Sequence, residues 1–215
     1  MNNTKILLID ACVRDESRTK RLTDALLQKL EGTIEEVRLE NIRFEVTDQD
    51  YLNRRDCLIK NSSYDDEMFS LARQFASADV VVIAAPYWDL SFPASLKQYI
   101  EKINVSGLTF KYTDDGYPVG LCKARKLYYV MSVGGSFVPE EFGYGYIKTL
   151  AQSFYGIDDI KLIAAYGLDI DGADPEAITM NEIILNPCFI AHLGGTVSLV
   201  CKIKAKRPSC YGTKV

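Results

Sequence analysis

Three short stretches of the chain hold residues whose types and spacing suit a phosphorylated, planar ligand. In Ala11-Cys12-Val13-Arg14-Asp15-Glu16-Ser17-Arg18-Thr19, the hydroxyls of Ser17 and Thr19 precede a helical pattern. Side-chain oxygens, unpaired amides and the positive end of the helix dipole coincide there and favour an anion such as phosphate. Asp10, Asp15 and Glu16 oppose an anion by like charge, while Arg14, Arg18, Lys20 and Arg21 offset them; a plain N-cap by Ser17 is the simpler alternative. In Pro86-Tyr87-Trp88-Asp89-Leu90-Ser91-Phe92-Pro93, the one tryptophan sits in a loop with a tyrosine and a phenylalanine. Such rings suit a flat ligand, or else Trp88 and Phe92 cap the core. In Ser132-Val133-Gly134-Gly135-Ser136-Phe137, paired glycines permit a tight turn and a close backbone approach to a ring. Alone, that pair reads as an ordinary turn.

Composition narrows the classes. With 25 Lys and Arg against 29 Asp and Glu, the net charge of -4 gives no basic field for nucleic acid. No apolar run reaches the ~18 residues of a spanning helix, and Met1–Thr4 leads into a strand without a signal-peptide pattern, so a cytosolic protein free of membrane is expected. The six cysteines, Cys12, Cys57, Cys122, Cys188, Cys201 and Cys210, include no C-x-x-C pair and read as free thiols. The single histidine, His192, lies away from any such pair, so no metal site is expected.

These loops need a scaffold that brings them together. Apolar runs at Lys5–Asp10, Ile34–Leu39, Val80–Ala85, Leu127–Val133 and Lys161–Tyr166 read as strands, with helical periodicity near Ser17–Leu30, Ser63–Ser77, Pro93–Ile103 and Glu140–Phe154. This alternation predicts an α/β three-layer sandwich with a five-stranded parallel sheet, of flavodoxin-like order 2-1-3-4-5. In that order the loops after strands 1 and 3 diverge and leave a crevice. All three stretches fall on that edge. Gly107–Leu121 reads as an inserted β-hairpin turning at Asp115-Gly116, Asn41–Asn61 as a polar connection, and the chain as one domain with an extended tail from about 181.

Ala85-Pro86-Tyr87-Trp88-Asp89-Leu90-Ser91-Phe92-Pro93-Ala94-Ser95-Leu96-Lys97 resembles the isoalloxazine loop of the FMN-dependent NADH-azoreductase and NAD(P)H-quinone reductase family. Gly107-Leu108-Thr109-Phe110-Lys111-Tyr112-Thr113 is similar to that family's Gly-x-Thr-Phe-x-Tyr hairpin, and Ser132-Val133-Gly134-Gly135 to its Ser-x-Gly-Gly loop. Ser153–Ile157 and Ala165–Leu168 match its fifth-strand entry and exit. Ser17-Arg18-Thr19 stands where the family places Ser-x-Ser on the FMN phosphate.

The resemblance implies FMN held by Ser17, Arg18, Thr19, Pro86, Tyr87, Trp88, Asp89, Leu90, Ser132, Val133, Gly134 and Gly135. It also implies NADH or NADPH as donor and a small-molecule acceptor, a quinone, azo or nitroaromatic compound, in a ping-pong cycle. Flavin N5 carries the hydride, so no catalytic side chain is assigned; amides of Trp88–Leu90 and Gly134–Gly135 are expected to steady charge on the ring. A homodimer completing each site is implied as well, with candidates around Phe110, Tyr112 and Tyr117 and around Phe142–Tyr146. Two departures stand out: Ala11 replaces a polar residue, and Asp89 replaces the usual Asn. The rival reading is a flavodoxin-type electron carrier serving protein partners, which the inserted hairpin disfavours.

Overall fold

The computed structural model describes residues 3–139 and 141–185. Strand β1 (Lys5–Asp10) lies inside the sheet, between the edge strand β2 (Thr33–Arg38) and the central strand β3 (Val80–Ala84). Helix α1 (Arg18–Leu27) joins β1 to β2, and α2 (Gln49–Lys60) and α3 (Ser70–Ser77) lie between β2 and β3. Helix α4 (Ala94–Ile103) follows, then the hairpin β4 (Phe110–Tyr112) and β5 (Pro118–Gly120), then β6 (Lys126–Ser132), α5 (Tyr144–Leu150), β7 (Asp159–Ala165) and α6 (Pro175–Leu185). The main sheet is parallel in the order β2-β1-β3-β6-β7, which is the expected 2-1-3-4-5 with the hairpin set aside.

Burial on both faces explains the unbroken apolar strands. Ile6, Leu8, Val82, Ala84 and Val130 face α1, packing with Leu22 and Leu26, and Ile178 of α6 joins them. Their alternates Leu7, Ile9, Val81, Ile83 and Tyr129 face the other layer, where Phe75, Leu96, Tyr99, Ile100 and Ile147 complete the larger core. The period of two thus divides each strand between two cores. Edge strand β2, Thr-Ile-Glu-Glu-Val-Arg, is mostly exposed, and its charges protect an unpaired edge.

The hairpin forms as expected. Phe110 pairs with Gly120 and Tyr112 with Pro118; Gly116, at φ 80°, supplies the left-handed residue of the turn. Gly120 lies so close to the Tyr155 and Gly156 backbone that a Cβ would overlap it, which seats the hairpin on the main body.

Four local expectations change. The stretch Asn41–Asn61 contains α2, whose N-terminus is capped when the Asp48 carboxylate accepts from Tyr51 N at 2.9 Å. Tyr51 is the one fully buried residue of that helix, so its apolar face is too narrow to show in the periodicity. The helix expected over Ser63–Ser77 opens instead with a 3₁₀ turn, Glu67–Phe69, capped by Asp66. The last long helical pattern resolves into α5 and a wide π turn over Ala151–Tyr155, ended by Gly156 at φ 70°. Helix α6 was not anticipated and continues through 181–185, so the boundary drawn near 181 falls inside it. The tail beyond 185, with His192, Cys188, Cys201 and Cys210, lies outside the described residues.

Candidate functional site

The loops after β1, β3 and β6 meet at the carboxyl edge of the sheet, as the topology requires. They enclose a cavity of about 290 Å³ lined by Val13, Arg14, Glu16, Ser17, Arg18, Pro86, Tyr87, Trp88, Ser132, Gly134, Leu168 and Asp169. A more open region of about 580 Å³ is lined by Arg14, Tyr87, Trp88, Asp89, Val133, Gly134, Gly135, Phe137 and Asp169. The two share Arg14, Tyr87, Trp88, Gly134 and Asp169, and so form one crevice.

Its first wall is built from internal charge compensation. Asp10 is buried; one oxygen accepts from Cys12 N at 2.9 Å and the other meets Lys20 Nζ at 3.2 Å. That pairing removes Asp10 as an obstacle to an anion. Lys20 also meets Glu36 at 3.4 Å, and Arg21 is turned outward onto Glu176. Ser17 caps α1 by accepting from Lys20 N at 3.2 Å, and its hydroxyl also interacts with the Cys12 sulfur. Among the described residues, the Arg18 and Thr19 amides have no acceptor, and of these two residues only Arg18 lines the crevice, Thr19 being buried behind it. A helix N-terminus with free amides and a neighbouring arginine is an anion seat. Burial pushes the Cys12 thiol up to about 12 against the pull of the Ser17 hydroxyl, so it stays neutral and is no nucleophile.

The second wall is a two-residue turn. Trp88 and Ser91 exchange backbone hydrogen bonds of 3.1 and 2.7 Å, and Asp89 and Leu90 between them adopt φ of 50° and 64°. A turn with two left-handed residues usually carries Asn or Gly. Aspartate tolerates that conformation, whereas leucine pays about 1–2 kcal/mol for it. Tyr87 N donates to Ser132 O at 3.1 Å, which ties this loop to the third. The Tyr87 hydroxyl is buried with no partner among the described residues, so Tyr87 offers the crevice a ring and not a donor.

The floor is Gly134-Gly135. A Cβ on Gly135 would meet nothing within 4 Å, and a Cβ on Gly134 would strike the Asp169 carboxylate. Gly134 O and Gly135 O accept from Asp169 N and Gly167 N, both at 2.9 Å, which fixes the loop to the turn after β7.

Ten of the twelve residues expected at the site line the crevice. Thr19 does not: it is fully buried, with its hydroxyl 2.6 Å from that of Ser132, so it braces the wall from behind. Leu90 points its side chain to solvent. Of the amides expected to face a ring, Trp88 N is spent on Ser91 O, while those of Asp89, Leu90, Gly134 and Gly135 have no acceptor among the described residues. Sequence reasoning missed Asp169, which follows the quoted Ala165–Leu168 match by one residue. Among the described residues, no cluster of His, Cys, Asp or Glu suits a metal ion.

The model of a family described as having a flavodoxin-like fold matches residues 4–183. The chain is 38% identical over 183 residues to an FMN-dependent NADH:quinone oxidoreductase of Clostridium perfringens, covering 80% of this chain and 91% of the relative. A Coprothermobacter proteolyticus protein of the same name is 38% identical over 186 residues, covering 80% and 90%. An azoreductase structure from Bacillus anthracis superposes with a TM-score of 0.74 at 26% identity, over 84% of this chain and 95% of that one. An FMN-dependent NADH-azoreductase from the same species, solved in complex with FMN, gives 0.71 at 25% identity over 84% and 94%.

Proposed function

The chain belongs to the flavodoxin-like-fold family that includes the FMN-dependent NADH:quinone oxidoreductases, and from that premise we propose how its own crevice performs the reaction. It is an FMN-dependent oxidoreductase that takes electrons from NADH and delivers them to quinone or azo compounds. A carrier of single electrons to protein partners is not favoured, since the relatives are named as oxidoreductases of small molecules.

The observation that carries this reading is the convergence of an anion seat, an aromatic wall and a glycine floor on one crevice. The donor set fits FMN. Open space at Gly135 admits a flat ring, and the free α1 amides with Arg18 suit a phosphate. When bound, FMN supplies a two-electron carrier that accepts hydride from NADH and passes it on.

The chain's own residues bind, orient and shield. Ser17, Arg18 and the N-terminus of α1 would hold the phosphate, and Thr19 keeps Ser132 in place. Trp88, Tyr87 and the backbone of Val133–Gly135 would hold the ring. The free amides of Asp89, Leu90, Gly134 and Gly135 point to donors for negative charge gathered in the crevice, the role that preorganised amides fill best. The left-handed Asp89–Leu90 turn sets the direction of two of them, so its strain serves the site. The exposed rings of Trp88 and Phe137 offer an apolar face against which donor and acceptor bind in turn, a ping-pong order.

We read the active unit as a homodimer in the cytosol. The exposed rings of Tyr112, Tyr117, Phe142 and Tyr146 support the first part; Phe110 instead packs on Phe154, with centroids 4.6 Å apart. The free thiols of Cys12, Cys57 and Cys122 suit a reducing compartment. No described helix is long and apolar enough to cross a membrane. Purifying the protein and recording its visible spectrum tests the cofactor. Flavin absorbance, or its gain on adding FMN, is expected; a protein that stays colourless after incubation with FMN refutes the reading.

A further inference from the structure

Arg18 and Asp169 reach toward each other from opposite walls of the crevice. Arg18 opens α1, whose free amides form the anion seat. Asp169 follows β7, and its amide is anchored on Gly134 O at 2.9 Å. Between them Arg18 Nη1 donates to Asp169 Oδ1 at 2.8 Å, and both residues line the smaller cavity. The second carboxylate oxygen fills the space a Gly134 side chain would take, so the carboxylate rests on the glycine floor.

Arg14 lines the same crevice with no ion pair among the described residues, and the next two cations are engaged elsewhere. Lys20 meets Asp10 and Glu36, and Arg21 meets Glu176 of α6. Arg18 differs in having its partner inside the crevice. That pair is exposed, with side chains 35% and 68% accessible, so it exchanges readily with a competing anion. A phosphate seated on the α1 amides must share Arg18 with Asp169 and must sit beside a carboxylate.

We propose that Asp169 sets how tightly the protein holds its cofactor, by competing with the phosphate group for Arg18. This rests on the FMN reading of the crevice. Asp169 is a positioning residue: it acts through Arg18 and is left in place when the phosphate binds. The competition concerns the phosphate alone, so it touches FMN and spares riboflavin, which carries the same ring without that group. A residue needed merely for structure would act with the opposite sign, since its loss would loosen both flavins.

The test is a fluorescence-quenching titration of the full-length protein, stripped of flavin, with FMN and with riboflavin at low salt. Asp169→Asn keeps the backbone anchor and the side-chain shape, and Asp169→Ala serves as a second variant in case amide chemistry intervenes. Both are expected to tighten FMN by about three- to five-fold, the scale of one exposed ion pair, with riboflavin changed by less than about two-fold. The gain should shrink as salt screens the charges. In an Arg18→Gln background, which itself weakens FMN, the further change Asp169→Asn should yield less than about two-fold. FMN binding that is unchanged or weaker in both Asp169 variants overturns the proposal. Equal tightening of riboflavin, or a gain that persists in full without Arg18, overturns it too. If the wild-type chain binds neither flavin, the cofactor reading itself falls; if it binds FMN and the Asp169 variants bind it no tighter, only this proposal falls.

Discussion

Replacing Gly135 by alanine separates what the crevice does for the fold from what it does for a ligand. A Cβ on Gly135 meets nothing within 4 Å, and Gly135 is not among the glycines with positive φ, so alanine fits without clash or strain. Removing glycine's freedom from the unfolded chain contributes about 0.4–1 kcal/mol to stability at such a site. For a chain of this size that is a rise of about 1–4 °C in the melting temperature of the flavin-free protein. The same methyl group stands on the floor of the crevice, where a flat ring needs close backbone approach. Overpacking of that kind costs about 1–3 kcal/mol, which corresponds to FMN affinity weakened by roughly 5- to 150-fold. Scanning calorimetry of the flavin-free protein and a fluorescence titration with FMN read the two signs separately. If Gly135→Ala lowers the melting temperature by several degrees, Gly135 serves the fold; if it leaves FMN affinity untouched, the ring does not lie on this loop. Either result refutes the reasoning.

Other consequences follow from the same geometry. Gly120→Ala drives a methyl into the Tyr155–Gly156 backbone and should destabilise the protein by about 1–3 kcal/mol or more, seen as a lower urea midpoint; wild-type stability would mean the hairpin is not seated there. Burial raises the Cys12 and Cys122 thiols to about 12 from a usual 9.0, so folding holds protons that the unfolded chain releases. Their contribution is full below pH 9 and is lost as pH rises toward 12, so Cys12→Ala should flatten the alkaline fall in stability, and an unchanged slope would contradict the burial argument. Peptide mapping after iodoacetamide treatment at pH 8 should find exposed Cys57 modified and Cys12 and Cys122 protected; equal labelling would refute it. Light scattering should give twice the chain mass, and a monomer with full NADH-quinone activity would exclude a shared site.

The scaffold was readable because its strands are buried on both faces. Runs such as Val80-Val81-Val82-Ile83 announce themselves, and alternation with helical periods leaves few topologies. From that order the three loops could be sent to one edge before any side chain was placed. Helix α2 escaped because only Tyr51 is fully buried on it, and α6 because its mixed Ala-Ile-Thr-Met pattern gives no clear stripe. Hydrogen bonding within the loops is what single residue types do not announce. Thr19 looked like a phosphate ligand, but its hydroxyl turns to Ser132; Trp88 N looked free, but the turn consumes it. Asp169 carried no local signal, since its place depends on β7 lying beside β6 and on a contact with Arg18 far away in the sequence.

The central claim is that the crevice holds an FMN that exchanges hydride between NADH and an organic acceptor. Anaerobic titration of the flavin-loaded protein with NADH, followed at the flavin absorbance, tests it most directly. The account predicts complete bleaching at one NADH per bound flavin, and full recovery of the colour when one equivalent of a quinone is added. Bound flavin that NADH leaves oxidised, or that is reduced but passes nothing to the quinone, would contradict it.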